Sequence, residues 1–544
     1  MRGCLDCCAI ALPAGQPPLK AGSPPPTSPL SIATYRSLWL ATIFANIGSC
    51  MEDVTAGWLM TSLSPSPLPV ALVQAANMLP IALLSLPSGA LADIVDRRRL
   101  LVFAQCWGMA AAVALFFATW TGRINAELLL ALTFLSSCGS ALSIPAIQAI
   151  TSELVPRASL AHTVTLAGIS NNVARIAGPA LGGVLIALAG AEWVFLVNCL
   201  SMLAIVAALW RWRGRATAGR LPPEHFMGAI RAGFRYVHSS AELHSLMVRT
   251  IAFFLCASAL WSLLPLIGRQ QLGLGPAGYG LMVTCIGAGA ICSALSLNRL
   301  RRRFSANQLS QWSSMLLAAA VGSVAAVDHL MLALACMSAA GFGWNVMTAN
   351  LHSTALLQAA SWAKARAFGI YLMLFQGSMA AGALLWGTVA SEIGISYSLL
   401  AAAVLLAANI LLSNIYPLII DPDRDLNPSR HWPDPMLDQP VEGDDGPVLI
   451  TIEYEIDPAR SEEFLGRLHT LRAIRLRDGA MRWRYWRDVA HRNRFIETFI
   501  VASWLEHLRQ HDRVTEADRA IQAKVNELHV GPSRPLVRHW IALP

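Results

Sequence analysis

Three ionisable residues stand in apolar sequence where a charge is out of place. Glu52 and Asp53 follow the run that begins near residue 37, and Arg175 interrupts NNVARIAGPALGG. A charged side chain inside a membrane is costly and normally marks a substrate or ion path. Two carboxyl groups and a guanidinium can bind a charged solute, hold a coupling ion such as a proton, or pair with one another in a purely structural role. Counted from the ends of their runs near Arg36 and Leu160, Asp53 lies ~25 Å and Arg175 ~22 Å deep at 1.5 Å per helical residue. Similar depth permits a pair. Successive helix positions diverge by ~100°, so Glu52 and Asp53 cannot both face one partner. Asn46, Gln74, Asn77, Asn171, Asn172, Asn345, Asn350 and Gln376 are the uncharged polar residues in such runs. They either line a cavity or bond helix to helix. Trp58, Trp261, Trp344 and Trp386 serve as pocket walls or interface anchors.

The elements that must position these groups are membrane helices. Of the 544 residues, 55% are hydrophobic and only 14% charged, with a mean hydropathy of +0.49. Soluble domains carry roughly 25% charged residues. A spanning helix needs about 20 apolar residues. Such runs cover 37–62, 68–92, 100–120, 127–150, 161–189 and 191–210, then 249–268, 278–298, 308–327, 329–353, 366–390 and 396–417. The expected fold is therefore an all-α membrane protein of twelve transmembrane helices in two six-helix halves, 31–210 and 249–420. A basic segment, 211–248, joins the halves as a cytoplasmic loop.

Charge sets the orientation. One set of alternate loops holds Arg97, Arg98, Arg99, Arg157, seven arginines from Arg211 to Arg249, four from Arg299 to Arg303, Lys364 and Arg366; the other holds Arg123 and Arg269. Positive residues stay inside, which places both termini in the cytoplasm of a multi-pass inner (plasma) membrane protein. The net charge of +8 thus reflects topology rather than nucleic-acid binding. Related charge clusters recur about 204 residues apart, Arg97 and Arg301 among them, as parallel repeats would give.

Residues 1–30 form a Pro-rich cytoplasmic tail, expected to be disordered, with no secretory signal. Its C-x-x-C-C (Cys4, Cys7, Cys8) lacks the partners a zinc site needs, and the other eight of the eleven cysteines fall in apolar runs. Residues 421–446 read as a Pro- and Asp-rich linker. Beyond it, 447–544 changes character: a strand at VLITIEYEI, a helix over 458–476, strands at MRWRYWRDV and RFIETFIVAS, a helix over 504–528 and a strand at PLVRHWIAL. The order βαββαβ is that of a ferredoxin-like α+β domain. His507 and His511 share one helix face, read as solvated because no third ligand accompanies them. No Walker A, H-E-x-x-H or G-x-S-x-G motif occurs, and Gly273-Leu-Gly275-Pro-Ala-Gly278 follows no strand, so it is no nucleotide loop. No cofactor, metal or catalytic residue is expected.

The loop GALADIVDRRR resembles the signature between the second and third helices of the major facilitator superfamily, with Gly89, Asp93, Arg97 and Arg98 at matching positions. It departs where Ile94 replaces a basic residue and Asp96 a glycine. LVQAANMLPIALLSLPSGALAD, NNVARIAGPALGGVLI and WSLLPLIGRQQLGLGPAGYG are similar to the enterobactin-exporter-like branch, also called the transmembrane secretion effector family, over residues 31–417. The C-terminal domain resembles an appendage of some members. The resemblance implies a secondary transporter. Asp93 would gate it at the start of the eleventh helix, and Asp53 would be its central group with Arg175 as counter-charge. ARIAGPALGG (Gly178, Pro179, Gly182, Gly183) resembles the fifth-helix motif of drug–proton antiporters. It implies export of a small amphipathic molecule, siderophore or drug, with a proton as candidate coupling ion. The antiporters' fourth-helix arginine is missing. The ferredoxin-like domain is expected to pair with a second copy. A membrane-tethered monooxygenase-like enzyme, or a transport-inactive sensor acting through 447–544, is the alternative.

Overall fold

A computed structural model describes residues 28–156, 159–210, 226–419, 424–429, 431–432 and 441–542. The tail with Cys4, Cys7 and Cys8 lies outside them. The first bundle comprises α1 (Ala33–Leu63), α2 (Pro67–Ile94), α3 (Arg97–Trp120), α4 (Ala126–Leu154), α5 (Leu160–Leu188) and α6 (Ala191–Trp210). A short helix, α7 (Phe226–Ser239), precedes the second: α8 (Ala241–Leu266), α9 (Pro276–Arg303), α10 (Ala306–Val324), α11 (Leu330–Leu357), α12 (Lys364–Ile393) and α13 (Ile395–Ile415).

Helix ends follow local chemistry. Asp96 caps α3 by accepting from the Arg99 amide at 2.9 Å, so the residue that departs from the signature loop starts a helix. Asn125 caps α4, and Ser305 with Gln308 forms a capping box on α10. Gly394, at φ +91°, turns α12 into α13. Outward faces are apolar: Leu83, Leu188, Leu295 and Val404 are all exposed, the inverse of a soluble bundle. Among the described residues, ten helices are long and apolar enough to cross a membrane. The two others, α1 and α10, are held back by Arg36, Glu52 and Asp53 in one and by serines, Asn307 and glutamines in the other. Both are members of their bundles, α1 packed on α5 and α6, α10 on α11 and α13. The halves meet through α2 against α12 and α5 against α9.

Two readings of the connecting segments need correction. The segment 211–248 is not all loop: α7 occupies Phe226–Ser239 and α8 starts at Ala241, because an apolar stripe through Gly233, Tyr236 and Val237 packs inward. Nor is 421–446 all free linker: the Glu516 and Ala517 amides bond to the Asn427 and Asp425 carbonyls at 3.0 Å each.

The C-terminal part is a four-stranded antiparallel sheet ordered β2-β3-β1-β4. Its elements are β1 (Val448–Glu455), α14 (Ser461–Asp478), β2 (Met481–Arg487), β3 (Arg494–Val501), α15 (Trp504–Arg513), α16 (Glu516–Asn526) and β4 (Leu536–Ile541). Alternation along β1 sends Val448, Ile450, Ile452 and Tyr454 onto Phe464, Leu468 and Leu471 of α14. The single helix expected over 504–528 is two. Thr515 and Asp518 form a capping box that starts α16 afresh, a signal present in the sequence and overlooked. The solvated reading of His507 and His511 is also overturned. His507 is buried, its Nε2 lies 3.3 Å from that of His511, and the ring of His539 stands 4.6 Å away. Burial, then the neighbouring His539 and His511, push His507 down to about 3. It is therefore neutral, packed from α15 against β4.

Candidate functional site

Between the two bundles lies a cavity of about 410 Å³. The first half lines it with Cys50, Asp53 and Val54 of α1, Gln74 and Met78 of α2, and Arg175 and Pro179 of α5. The second half answers with Trp261, Tyr279, Trp344, His352, Phe375 and Gln376 among others. Asp53 and Arg175 are both exposed to this space. Asp53 Oδ1 accepts a hydrogen bond from Asn77 Nδ2 at 3.1 Å, and Asn77 Oδ1 accepts from Ser137. No direct ion pair joins Asp53 to Arg175 among the described residues; the two charges face one cavity from different helices.

Glu52 points elsewhere. It is buried in the first half and accepts from Asn198 Nδ2 of α6, one residue and about 100° round α1 from Asp53. Asn46 lines a different cavity, of about 530 Å³, within the first half, where its amide donates to Ser170 Oγ and Asn171 Oδ1 at 3.0 Å each. Asn172 lines neither cavity. Of the six residues expected at the centre, the structure gathers Asp53, Arg175 and Gln376 and leaves Glu52, Asn46 and Asn172 apart.

The aromatic wall has its own order. Trp261 and Trp344 meet edge to face at 5.5 Å, Phe254 and Phe375 at 4.1 Å, and Trp344 and Phe254 at 5.2 Å. Such pairs favour edge-on and offset geometry because of the ring quadrupole. His352 Nδ1 stands 2.8 Å from the Thr348 carbonyl and 3.1 Å from the Tyr371 hydroxyl. Sequence reasoning missed Tyr279, His352 and Phe375. The periodicity was available: Trp344, Thr348 and His352 recur every four residues on α11, as do Tyr371, Phe375 and Met379 on α12. Of the other tryptophans, Trp386 donates to the Leu255 carbonyl in the packed second half, and Trp58 stacks on Tyr279 at 5.7 Å.

The glycines of α5 work by close approach. A Cβ on Gly178 would stand 2.5 Å from Cys50 Cβ, and one on Gly182 3.2 Å from Met51 Cα, so both seat α5 on α1. Gly183 faces the other half, where a Cβ would meet the Pro276 carbonyl at 2.7 Å. Pro179 lies inside α5, with its carbonyl 2.5 Å from where a Cβ on Gly280 would be. In the 89–98 loop, Gly89 has open space and Arg98 Nη2 donates to the Trp210 carbonyl at 3.3 Å. Arg97 is the first residue of α3. Asp93 falls in the last turn of α2, but its side chain lies outside the described residues.

Comparison with known proteins agrees with this architecture. The family model described as "Transmembrane secretion effector" matches residues 25–543. A "Putative multidrug resistance protein MdtD" of Citrobacter koseri is 27% identical over 49% of this chain and 51% of its own, so the chain spans about half the length of that curated relative. The "Multidrug efflux pump Tap" of Mycobacterium bovis is 24% identical over 67% of this chain and 88% of its own. Among solved structures, a bacterial homologue of the human lysosomal transporter Spinster aligns with a TM-score of 0.57 at 14% identity, over 73% of this chain and 96% of its own. A bacterial homologue of the iron transporter ferroportin gives 0.55 at 16%, over 71% and 97%. At such identities the likeness is one of fold.

Proposed function

Because the chain belongs to the transmembrane secretion effector family, we propose that it is a secondary transporter, an exporter of small amphipathic molecules working by alternating access between its two halves. The carrying observation is the cavity at their interface, charged on one side by Asp53 and Arg175 and aromatic on the other through Trp261, Trp344 and Phe375. A solute with a polar or charged end and a flat apolar body satisfies both walls. The multidrug relatives support a drug-like solute; a siderophore-like one has the same chemistry.

In this reading α1 and α10 complete twelve spans, with halves at 31–210 and 249–420, and the arginine-rich ends face the cytoplasm. Asp53 is the central group and the site of any proton coupling, with Arg175 balancing it across the cavity. Glu52, Asn46 and Asn172 serve the first half's internal bonding. The 89–98 loop, through Asp93, closes on the first turn of α12, where a carboxylate is stabilised by the helix N-terminus. The β2-β3-β1-β4 sheet with its helices is a ferredoxin-like domain on the cytoplasmic side.

The test is flux. Full-length protein in proteoliposomes, with a proton gradient imposed, should move lipophilic fluorescent cations or catechol-type chelators out of the compartment facing its arginine-rich ends. Absence of flux across such a panel, with correctly oriented and folded protein, would refute the transporter reading.

A further inference from the structure

The C-terminal domain meets the membrane body at two aromatic rings, and it places an arginine over each. Tyr236 of α7 and Trp362, two residues before α12, stand edge to face at 5.0 Å. The Arg477 guanidinium lies 5.6 Å over Tyr236, and that of Arg513 lies 4.9 Å over Trp362. Trp362 Nε1 also donates to the Arg513 carbonyl at 3.1 Å. Each arginine is held by carboxylates of its own domain. Arg477 bonds Asp478 at 2.8 Å and Asp518 at 2.5 Å, while Arg513 bonds Glu506 at 2.6 Å. Glu506 then reaches back across the junction to Arg235 of α7 at 3.3 Å. Tyr236, Arg477 and Arg513 are buried. Desolvated cation–ring contacts are worth more than exposed ones, and a buried arginine left without its carboxylate is costly. This is a built junction, not a tether brushing a surface.

What it grips has consequences. The Tyr236 hydroxyl accepts from the Ala360 amide at 2.8 Å. A Cβ on Gly233 would stand 3.1 Å from Arg366 Cβ. Thus α7 and the 358–363 connection are fixed together against the first turn of α12. We propose that the C-terminal domain is a control element of the second half: by clasping Tyr236 and Trp362 it sets the position of the start of α12, and so the balance between closed and open states of the cytoplasmic gate. The assignment of that gate rests on the transporter reading above; the clasp itself does not. Coupling of this kind requires an element with two arrangements that the domain biases, and the start of α12 against the 89–98 loop is that element.

The test uses full-length protein in nanodiscs, with spin-labelled unnatural amino acids in pairs at positions 364 and 466, and 89 and 364. Gly466 and Gly89 both have open space for a label. The first pair reads docking; the second reads the gate. In Trp362→Ala with Arg235→Gln, which leaves Glu506 paired to Arg513, the 364–466 distances should broaden, and the ratio of the 89–364 populations should shift about threefold, the scale of one ring contact and a partly exposed ion pair. Trp362→Phe keeps the ring and loses only the Nε1 donor. It should fold normally and shift both pairs less, in the same direction. Unchanged 364–466 distances would show that these contacts do not hold the domain. Broadened docking with an unmoved 89–364 ratio would show that it controls nothing. Either result overturns the proposal. A wild-type protein without flux would sink the transporter reading while leaving the docking measurement intact.

Discussion

The two halves share a helix count but not a chemistry. The first contributes the charges: Asp53 with its Asn77 bond, Arg175, and Glu52 turned inward to Asn198. The second contributes rings, with Trp261, Trp344, Phe254 and Phe375 interlocked. On the proposed reading, a solute held between them would touch a polar wall on one side and an apolar wall on the other, and neither half alone could grip both of its ends. The asymmetry would then divide recognition, with charge read by one body and shape by its partner, so that binding would draw the bodies together.

The sharpest way to break that division is Asp53→Asn. The amide keeps the shape and can still accept from Asn77. Loss of a charge-assisted contact of about 1.5–3 kcal/mol would lower transport of charged solutes by about 10- to 100-fold. Neutral solutes should lose far less, as measured by initial flux in proteoliposomes. Equal losses for both would mean that the first half does not read charge. Trp344→Ala is the counterpart. Removing a ring from a packed aromatic wall should weaken binding about tenfold, measured by tryptophan-independent equilibrium binding of a radiolabelled solute. The loss should track the solute's aromatic area and ignore its charge.

Much of this was legible in the residues, for physical reasons. Apolar runs and arginine-rich ends carry a membrane helix in their composition, and Asp53 and Arg175 stood out because lipid makes charge conspicuous. Partners on other helices were not legible. Nothing in the sequence places Asn198 beside Glu52, or Asn46 in a separate cavity, because those meetings depend on helix rotation. The aromatic wall was half visible: four tryptophans drew attention by type, while Phe375 and His352 were hidden by belonging to a bundle apolar all round, where no polar face fixes the phase. In the C-terminal part the structure departs from the reading at a helix cap and at a buried ring. Thr515 and Asp518 spelled a new helix start, and His507 looked exposed because His539, its neighbour in space, is 32 residues away in sequence.

A milder disturbance tests whether the halves close as rigid bodies. At Gly183 a Cβ would come within 2.7 Å of the Pro276 carbonyl of α9, a backbone atom that cannot swing aside. Gly183→Ala should therefore part α5 from α9 at the end opposite the arginines. Labelling from outside at the partly buried Leu63, replaced by a clickable unnatural residue, should rise several-fold, at about 1 kcal/mol of lost packing. Gly182→Ala, 3.2 Å from Met51 Cα of the same half, should leave that rate near wild type, because its strain falls within one body. Similar rises in both would mean that the halves do not move as units.

The smallest effect is expected at the polar latch on the same end. Arg269 follows α8 in a π-helical turn, Ile267–Gln271, and single π turns frequently sit at functional positions. Its guanidinium donates to Thr61 Oγ1 at 3.0 Å and Ser62 Oγ at 2.5 Å, both on α1 of the opposite half, and lies 5.6 Å over Trp58. These hydrogen bonds cross between the bodies, so they must break whenever that end opens. Being partly exposed, they compete with water and are worth only about 0.5–1 kcal/mol together. Arg269→Gln should thus raise outside labelling at Leu63 only about two- to fivefold, by the same free-energy scale. Combined with Gly183→Ala, the two effects should multiply if each acts on one opening of two rigid halves. A combined effect no larger than that of Gly183→Ala alone would show that the end had already opened before the latch mattered. In that case the two bodies are held together by backbone contact, and the Arg269 hydrogen bonds add nothing to the seal.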